Sequence, residues 1–261
     1  MTSMNLQTRI FRDSQLAIVE KNLKSMLEGL DVEIVIRGIH GRGWVEVLVS
    51  GQDERVATRF LAENVGFCPK SLDDIHVFSV IKGFVADLAK SRSELRLDIG
   101  FASASNIDAI VPLRRLQAQL ADGRKIALNR LVDLFGLCQN MPLYVRVLKV
   151  DAGARYIEAE LAEKQGRQFT FWARSLLDRL LIFGSSSDEV IEAMKSSGVG
   201  RDVVGVESLG MFEHVIVCKL GTDAVGLVPK IGRLLRSSTL SVFNARKIVG
   251  LLGEGSFSFD F

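Results

Sequence analysis

Between residues 82 and 149 lie side chains of the kind that hold phosphate: Lys82, Arg96, Arg114, Arg115, Arg124, Lys125, Arg130, Arg146 and Lys149, with Tyr144 among them. Phosphate contact needs cations gathered in one place, not a high net charge. The net charge is only +2, but its distribution is uneven: residues 1–79 carry 9 basic and 11 acidic side chains, 80–161 carry 12 and 9, and 172–261 carry 10 of each. The plain alternative is a solvated face. A second group lies near the end of the chain. Gly221-Thr222-Asp223-Ala224-Val225-Gly226 leads into an expected helix and has the glycine spacing of a phosphate-binding loop. Leu227-Val228 stands where a lysine and a hydroxyl residue must follow, which removes the polar parts that nucleotide hydrolysis needs. What remains is an anion contact made by Lys219, Gly221, Thr222, Gly226, Lys230 and Arg233. Its alternative is a turn whose glycines only permit tight strand-to-helix packing.

Nothing in the spacing of the other reactive residues makes a catalytic set. His214 follows Glu213 on an expected strand, where neighbours point to opposite faces. His40 and His76 have bland surroundings. Cys68, Cys138 and Cys218 are far apart, without the close ligand pairs of a zinc site, and read as buried small apolar residues. The expectation is a non-enzymatic protein with no metal and no cofactor. Trp172 and Phe171 open an apolar stretch and read as core. At 261 residues and 48% hydrophobic the chain can bury two or three small cores. It has no uncharged apolar run long enough for a membrane span and no signal-peptide pattern at its start, so a cytoplasmic location without membrane contact is expected.

Periodicity supplies the elements that must position these groups. Leu6 to Phe11 alternates as a strand. Asp13 or Ser14 caps a helix with Leu16, Val19, Leu23, Met26, Leu27 and Leu30 on one side, stopped at Gly29. Strands at 32–36 and 44–49 follow, then a helix from Asp53 through Val56, Phe60 and Leu61 to Gly66. Pro69 to Asp74 reads as a linker. Five alternating segments come next: Val80–Val85, Leu95–Phe101, Asp108–Leu113, Tyr144–Asp151 and Tyr156–Leu161. An insertion over 114–142 carries two helical patterns divided at Asp122-Gly123. Beyond it the spacing predicts a helix over 171–183, a helix opened by the Ser186/Glu189 capping box, strands at 203–206 and 214–220, a helix over 225–236 and a strand at 240–243. The tail, 253–261, alternates Phe with polar residues as an edge strand or a frayed end.

The five segments, with Leu97-Asp98-Ile99-Gly100, Val111-Pro112-Leu113 and Val145-Arg146-Val147-Leu148-Lys149-Val150-Asp151, resemble an S1-type OB barrel. That resemblance implies a single-stranded nucleic-acid binder with an exposed aromatic cluster. Ser91, Arg92, Ser93 and Glu94 stand where an aromatic-glycine pair is expected, leaving Phe84, Phe101, Tyr144 and Tyr156. Contact through phosphates, using the cations above, is the reading that follows. Asp223, Gly226 and Leu227 resemble the loop of an ACT domain, although Val225 stands where its proline would be. Over the whole chain, Asp108–Leu113 with Leu116–Leu120, Leu134–Leu137 and Leu209–Ala224 resemble an archaeal family of unknown function with a central S1-like region. The expected fold is α+β, a central S1-like OB β-barrel (75–166) flanked by two small α/β sandwich domains (1–74 and 167–261) of ferredoxin-like or KH-like kind. The expected function is RNA or ribosome binding in translation. The alternatives are a protein–protein adaptor in transcription or translation, and a small-ligand ACT-like regulator.

Overall fold

Residues 2–88, 91–101 and 107–253 are described by a computed structural model, in which the chain forms two units. The first comprises residues 1–75 together with 98–107. Its elements run β1 (Thr2–Arg9), α1 (Leu16–Met26), β2 (Val32–His40), β3 (Trp44–Gly51) and α2 (Glu54–Asn64). This is the expected β-α-β-β-α order, with an antiparallel sheet ordered β1-β3-β2. The three- and four-residue apolar spacing of α1 buries Val19 and Leu23 completely, and α2 buries Ala57 and Leu61. β1 begins earlier than the alternation from Leu6 suggested, and ends at Arg9.

The segment from Asp98 closes this core. Trp44 is 2% exposed, and its Nε1–H donates to Asp98 Oδ2 at 3.0 Å. Gly100 has φ +73°, and a Cβ there would lie 2.8 Å from the Trp44 ring and press on Cys68 Sγ. Both the backbone conformation and the space admit only glycine.

The second unit, 76–97 with 108–261, opens with a barrel. β4 (Val80–Ala86), β5 (Glu94–Asp98), β6 (Asp108–Pro112), β7 (Pro142–Asp151) and β8 (Tyr156–Leu161) close in the order β4-β5-β6-β8-β7. β4–β7 and β7–β8 are antiparallel and β6–β8 parallel. Five strands in that order make an OB-type barrel, as expected. Alternate residues Leu95, Leu97, Ala109, Val111, Val145, Val147, Ile157 and Ala159 are fully buried, so period-two patterning decides which side chains remain outside. The insertion forms α3 (Leu113–Ala121) and α4 (Leu128–Phe135). Asp122 ends α3 in the left-handed region, as the Asp-Gly pair suggested.

The last third departs from the expected order. The helix expected over 171–183 is instead the end of α5 (Glu163–Arg174) followed by a strand, β9 (Arg179–Phe183). Leu176, at φ +55°, lies in the turn between them. All five residues of β9 are buried, because it sits between β11 and β12 in the sheet. Leu176, Leu177, Leu180 and Leu181 repeat at the four-residue spacing of a helix face, and the strand's own apolar run, Leu180 to Phe183, has no period to contradict it. α6 (Ser187–Ser197) starts at the Ser186/Glu189 capping box. β10 (Val203–Ser208) and β11 (Glu213–Cys218) follow. The helix expected over 225–236 is a 3₁₀ turn, Ala224–Leu227, and a five-residue α7 (Val228–Gly232). β12 (Thr239–Phe243) and α8 (Ala245–Leu252) are the last elements among the described residues. The corrected order from β9 to β12 is β-α-β-β-α-β, with an antiparallel sheet ordered β10-β11-β9-β12, the ferredoxin-like arrangement. The alternating tail beyond Gly253 lies outside the described residues.

Helix α5 joins this sheet to the barrel through aromatic packing. Phe135 of α4, Phe169 and Trp172 of α5, and Phe243 at the end of β12 have ring centroids 5.2–5.9 Å apart in tilted, edge and stacked pairs. Such pairs add about 0.5–1.5 kcal/mol each beyond burial. Gly136 ends α4 at φ +65°, and a Cβ there would meet the Val242 carbonyl oxygen at 2.8 Å.

Candidate nucleic-acid interface

The outward positions of β7 and β8, with the first turn of α3, gather four of the expected cations. Arg146 lies opposite Glu160 and Lys149 opposite Glu158 in the register. Arg146 donates to Glu160 through Nε at 2.9 Å and also through Nη2. Arg115 approaches the other oxygen of the same carboxylate at 3.6 Å. Arg114 pairs with Glu158 at 3.1 Å, and Lys149 with Asp151 at 3.6 Å. These cations are therefore less bare than their sequence neighbourhood suggested. Yet four cations meet three carboxylates, because Glu160 serves two guanidinia. The surplus is positive, and the three arginine side chains keep between two-fifths and three-quarters of their exposure, while the shared Glu160 is buried. The more open pairs, those of Arg114 and Lys149, are worth about 0–1 kcal/mol, so an incoming phosphate can compete for these donors.

A second group lies where β4 and β7 meet the hairpin between β10 and β11. Lys82 is opposite Tyr144 in the register. The Lys164 ammonium stands 3.0 Å over the Tyr144 ring. Burial lowers the Lys164 ammonium from its usual range, and Lys82 lowers it further. Burial pushes the Tyr144 phenol up, and the Glu213 carboxylate adds to that. Lys82 Nζ and the Glu213 carboxylate both lie against Gly210, the ammonium 3.5 Å from where a Cβ would stand. Tyr144 is thus covered by a cation and half-buried, not presented as a bare ring.

The other expected cations lie elsewhere. Arg96 pairs with Glu94 on its own strand at 2.7 Å. Arg124 donates to the carbonyls of Leu251 and Leu252 at 2.5 and 3.1 Å. It satisfies two of the acceptors left open at the C-terminal end of α8 and complements that helix's dipole. Lys125 and Arg130 are exposed, with no carboxylate partner among the described residues.

The loop before α7 makes hydrogen bonds within the chain. Asp223 occupies the helix start itself, its carboxylate accepting from Val225 N–H at 2.9 Å. Gly221 takes φ +89° as a turn residue, while the Thr222 carbonyl accepts from Arg246 at 3.3 Å. Lys219, Gly226, Lys230 and Arg233 are all exposed, and the helix that follows the loop has only five residues.

Of the aromatic candidates, Phe84 is fully buried and Phe101 and Tyr156 are half-buried. Trp172 is core, as expected, but its neighbour Phe171 is exposed. Sequence reading passed over Phe78, the most exposed aromatic side chain among the described residues. The only prior signal would have been an isolated aromatic just before the first barrel strand. Burial pushes the Cys138 and Cys218 thiols up to about 12 and about 11, so neither is a nucleophile at neutral pH.

Three family models match in chain order: the DUF2110 N-terminal domain over residues 3–71, the DUF2110 central domain over 77–173 and the DUF2110 C-terminal domain over 177–243. No curated protein matches the chain. Among solved structures, the chain is similar to one in the a/eIF2alpha-aDim2p-rRNA complex from Pyrococcus horikoshii OT3, at 12% identity, covering 48% of this chain and 64% of that one, with a TM-score of 0.26. It is also similar to the intact alpha subunit of aIF2 from Pyrococcus abyssi, at 10% identity, covering 64% of this chain and 97% of that one, again with a TM-score of 0.26.

Proposed function

Starting from the premise that the chain belongs to the DUF2110 family, we propose that this protein is a non-enzymatic RNA-binding protein acting in translation, which holds RNA phosphates on the outer face of β7, β8 and α3. The observation that carries the reading is the sharing of Glu160 between Arg115 and Arg146, which leaves a positive surplus on an exposed barrel face. OB-type barrels offer a rigid strand surface for oligonucleotides, although fold alone assigns no function. Exposed guanidinium heads on that surface supply phosphate contacts without reading sequence.

Filter binding to single-stranded RNA, duplex RNA and isolated ribosomal subunits over a salt series tests this. Binding should weaken linearly in log–log form, by a slope of about 0.7 for each phosphate neutralised on a single strand. Failure to bind at low salt, or binding that ignores salt, rejects the reading. Selective retention of ribosomal subunits supports the role in translation, and equal affinity for any RNA removes it.

A further inference from the structure

We propose that Phe78 is a base-stacking platform for single-stranded RNA, placed beside the cationic face so that one strand meets a ring and cations together. The inference rests on the RNA-binding reading. Ser79 N–H donates to the His76 carbonyl at 3.0 Å, closing a four-residue turn in which Phe78 is third. Phe78 sits there at φ +70°. That conformation favours glycine or asparagine, and a bulky side chain in it is an outlier. The turn is laced to β7 on both sides: Phe78 N–H donates to the Val147 carbonyl at 2.7 Å, and Val147 N–H to the Ser79 carbonyl at 2.9 Å. The surrounding structure therefore holds the strained residue in place instead of letting it relax.

The ring gains nothing from packing in return. Phe78 is 69% exposed, with Val77 at 47% and Val80 at 50% on either side. Neither local conformation nor burial accounts for a phenyl group at this position, whereas a ligand that covers it does. The adjacent charge selects the ligand. The turn is anchored one residue from Arg146 and two from Lys149, and Val80 lies opposite Arg146 in the register. A single strand needs a π-face for a base within reach of cations for its phosphates, and any base will serve. Duplex RNA keeps its bases stacked inside and cannot use the ring.

The test compares Phe78→Gly, Phe78→Leu and Phe78→Trp with the parent, by filter binding to a single-stranded RNA and to a duplex of the same length. Phe78→Gly and Phe78→Leu should each weaken single-strand binding by about 5- to 100-fold and leave duplex binding unchanged. Their salt slope should match the parent's, since no phosphate contact is removed. Phe78→Gly should also raise the Tm by relieving the turn, which separates lost binding from lost folding. The native Trp44 and Trp172 are 2% and 1% exposed, so they supply a quiet fluorescence background. Emission from Phe78→Trp should be quenched on saturation with the single strand. Unchanged single-strand affinity in both Phe78→Gly and Phe78→Leu, or no quenching at saturation, overturns the platform while leaving RNA binding intact. Loss of a protein partner in these variants, with single-strand affinity unchanged, overturns it equally. A parent that binds no RNA at any salt rejects the RNA reading itself, and the platform with it.

Discussion

Where α4 and α5 meet β12, four aromatic rings form five pairs with centroids 5.2–5.9 Å apart. There Arg179 lies against Trp172 and donates to the carbonyls of Trp172 and Leu177 and to Ser175 Oγ. Where α3 packs on β8, four exposed or half-exposed cations meet three carboxylates, of which Glu160 is buried. The first flank uses burial to join barrel to sheet; the second spends almost nothing on stability and keeps its charges available. Substitutions on the two flanks should therefore separate folding from binding.

The largest effect is expected on the dry flank. Phe169→Ala should lower the unfolding free energy by about 3–5 kcal/mol, measured by denaturant titration, with RNA affinity unchanged wherever the variant is folded. Gly136→Ala follows at about 1–3 kcal/mol, because it meets both a left-handed backbone and the Val242 carbonyl. An unaltered Tm in either variant would mean that the flank is not the joint described. On the wet flank, Arg114→Glu combined with Lys149→Glu should weaken RNA binding by about tenfold or more. Its salt slope should fall by about 1.4, twice the 0.7 of a single contact, with stability shifting by no more than about 1 kcal/mol. Glu160→Gln should do the reverse: freeing Arg115 and Arg146 tightens RNA binding at low salt, visible in the same assay.

The smallest effect is on pH dependence. His214 is buried, and burial lowers its pKa from the usual 6.5. The unfolded chain thus binds the proton more readily than the folded one. Stability should be complete above about pH 6.5 and decline as the pH falls toward the folded value. His214→Gln should flatten that decline in thermal melts at pH 5 to 7.

The legible parts of this fold were those with a local cause. The spacing of Val19 and Leu23 shows a helix face, the Ser186/Glu189 pair shows a helix start, and period-two alternation shows the barrel strands. Residues 179–183 were misread because Leu176, Leu177, Leu180 and Leu181 repeat every four residues as a helix face does, while Leu180 to Phe183 alone has no period. The site was half legible for a related reason. Sequence reveals which residues are cationic, but Arg114 and Glu158 are 44 positions apart, and only the barrel brings them to 3.1 Å. Arg124 looked like any other surface cation until α8 came to rest beneath it. Phe78 was invisible because a backbone dihedral is not written in residue type.

The hydrogen bond from Trp44 to Asp98 has a practical consequence for dissecting the protein. The first unit draws on two stretches of chain, so a fragment cut at residue 75 would leave behind the acceptor of its buried indole and the glycine that fits against it. An orphaned buried donor costs about 1–3 kcal/mol, a large part of what so small a core can supply. What looks like a detachable N-terminal module is completed only by residues that arrive two barrel strands later.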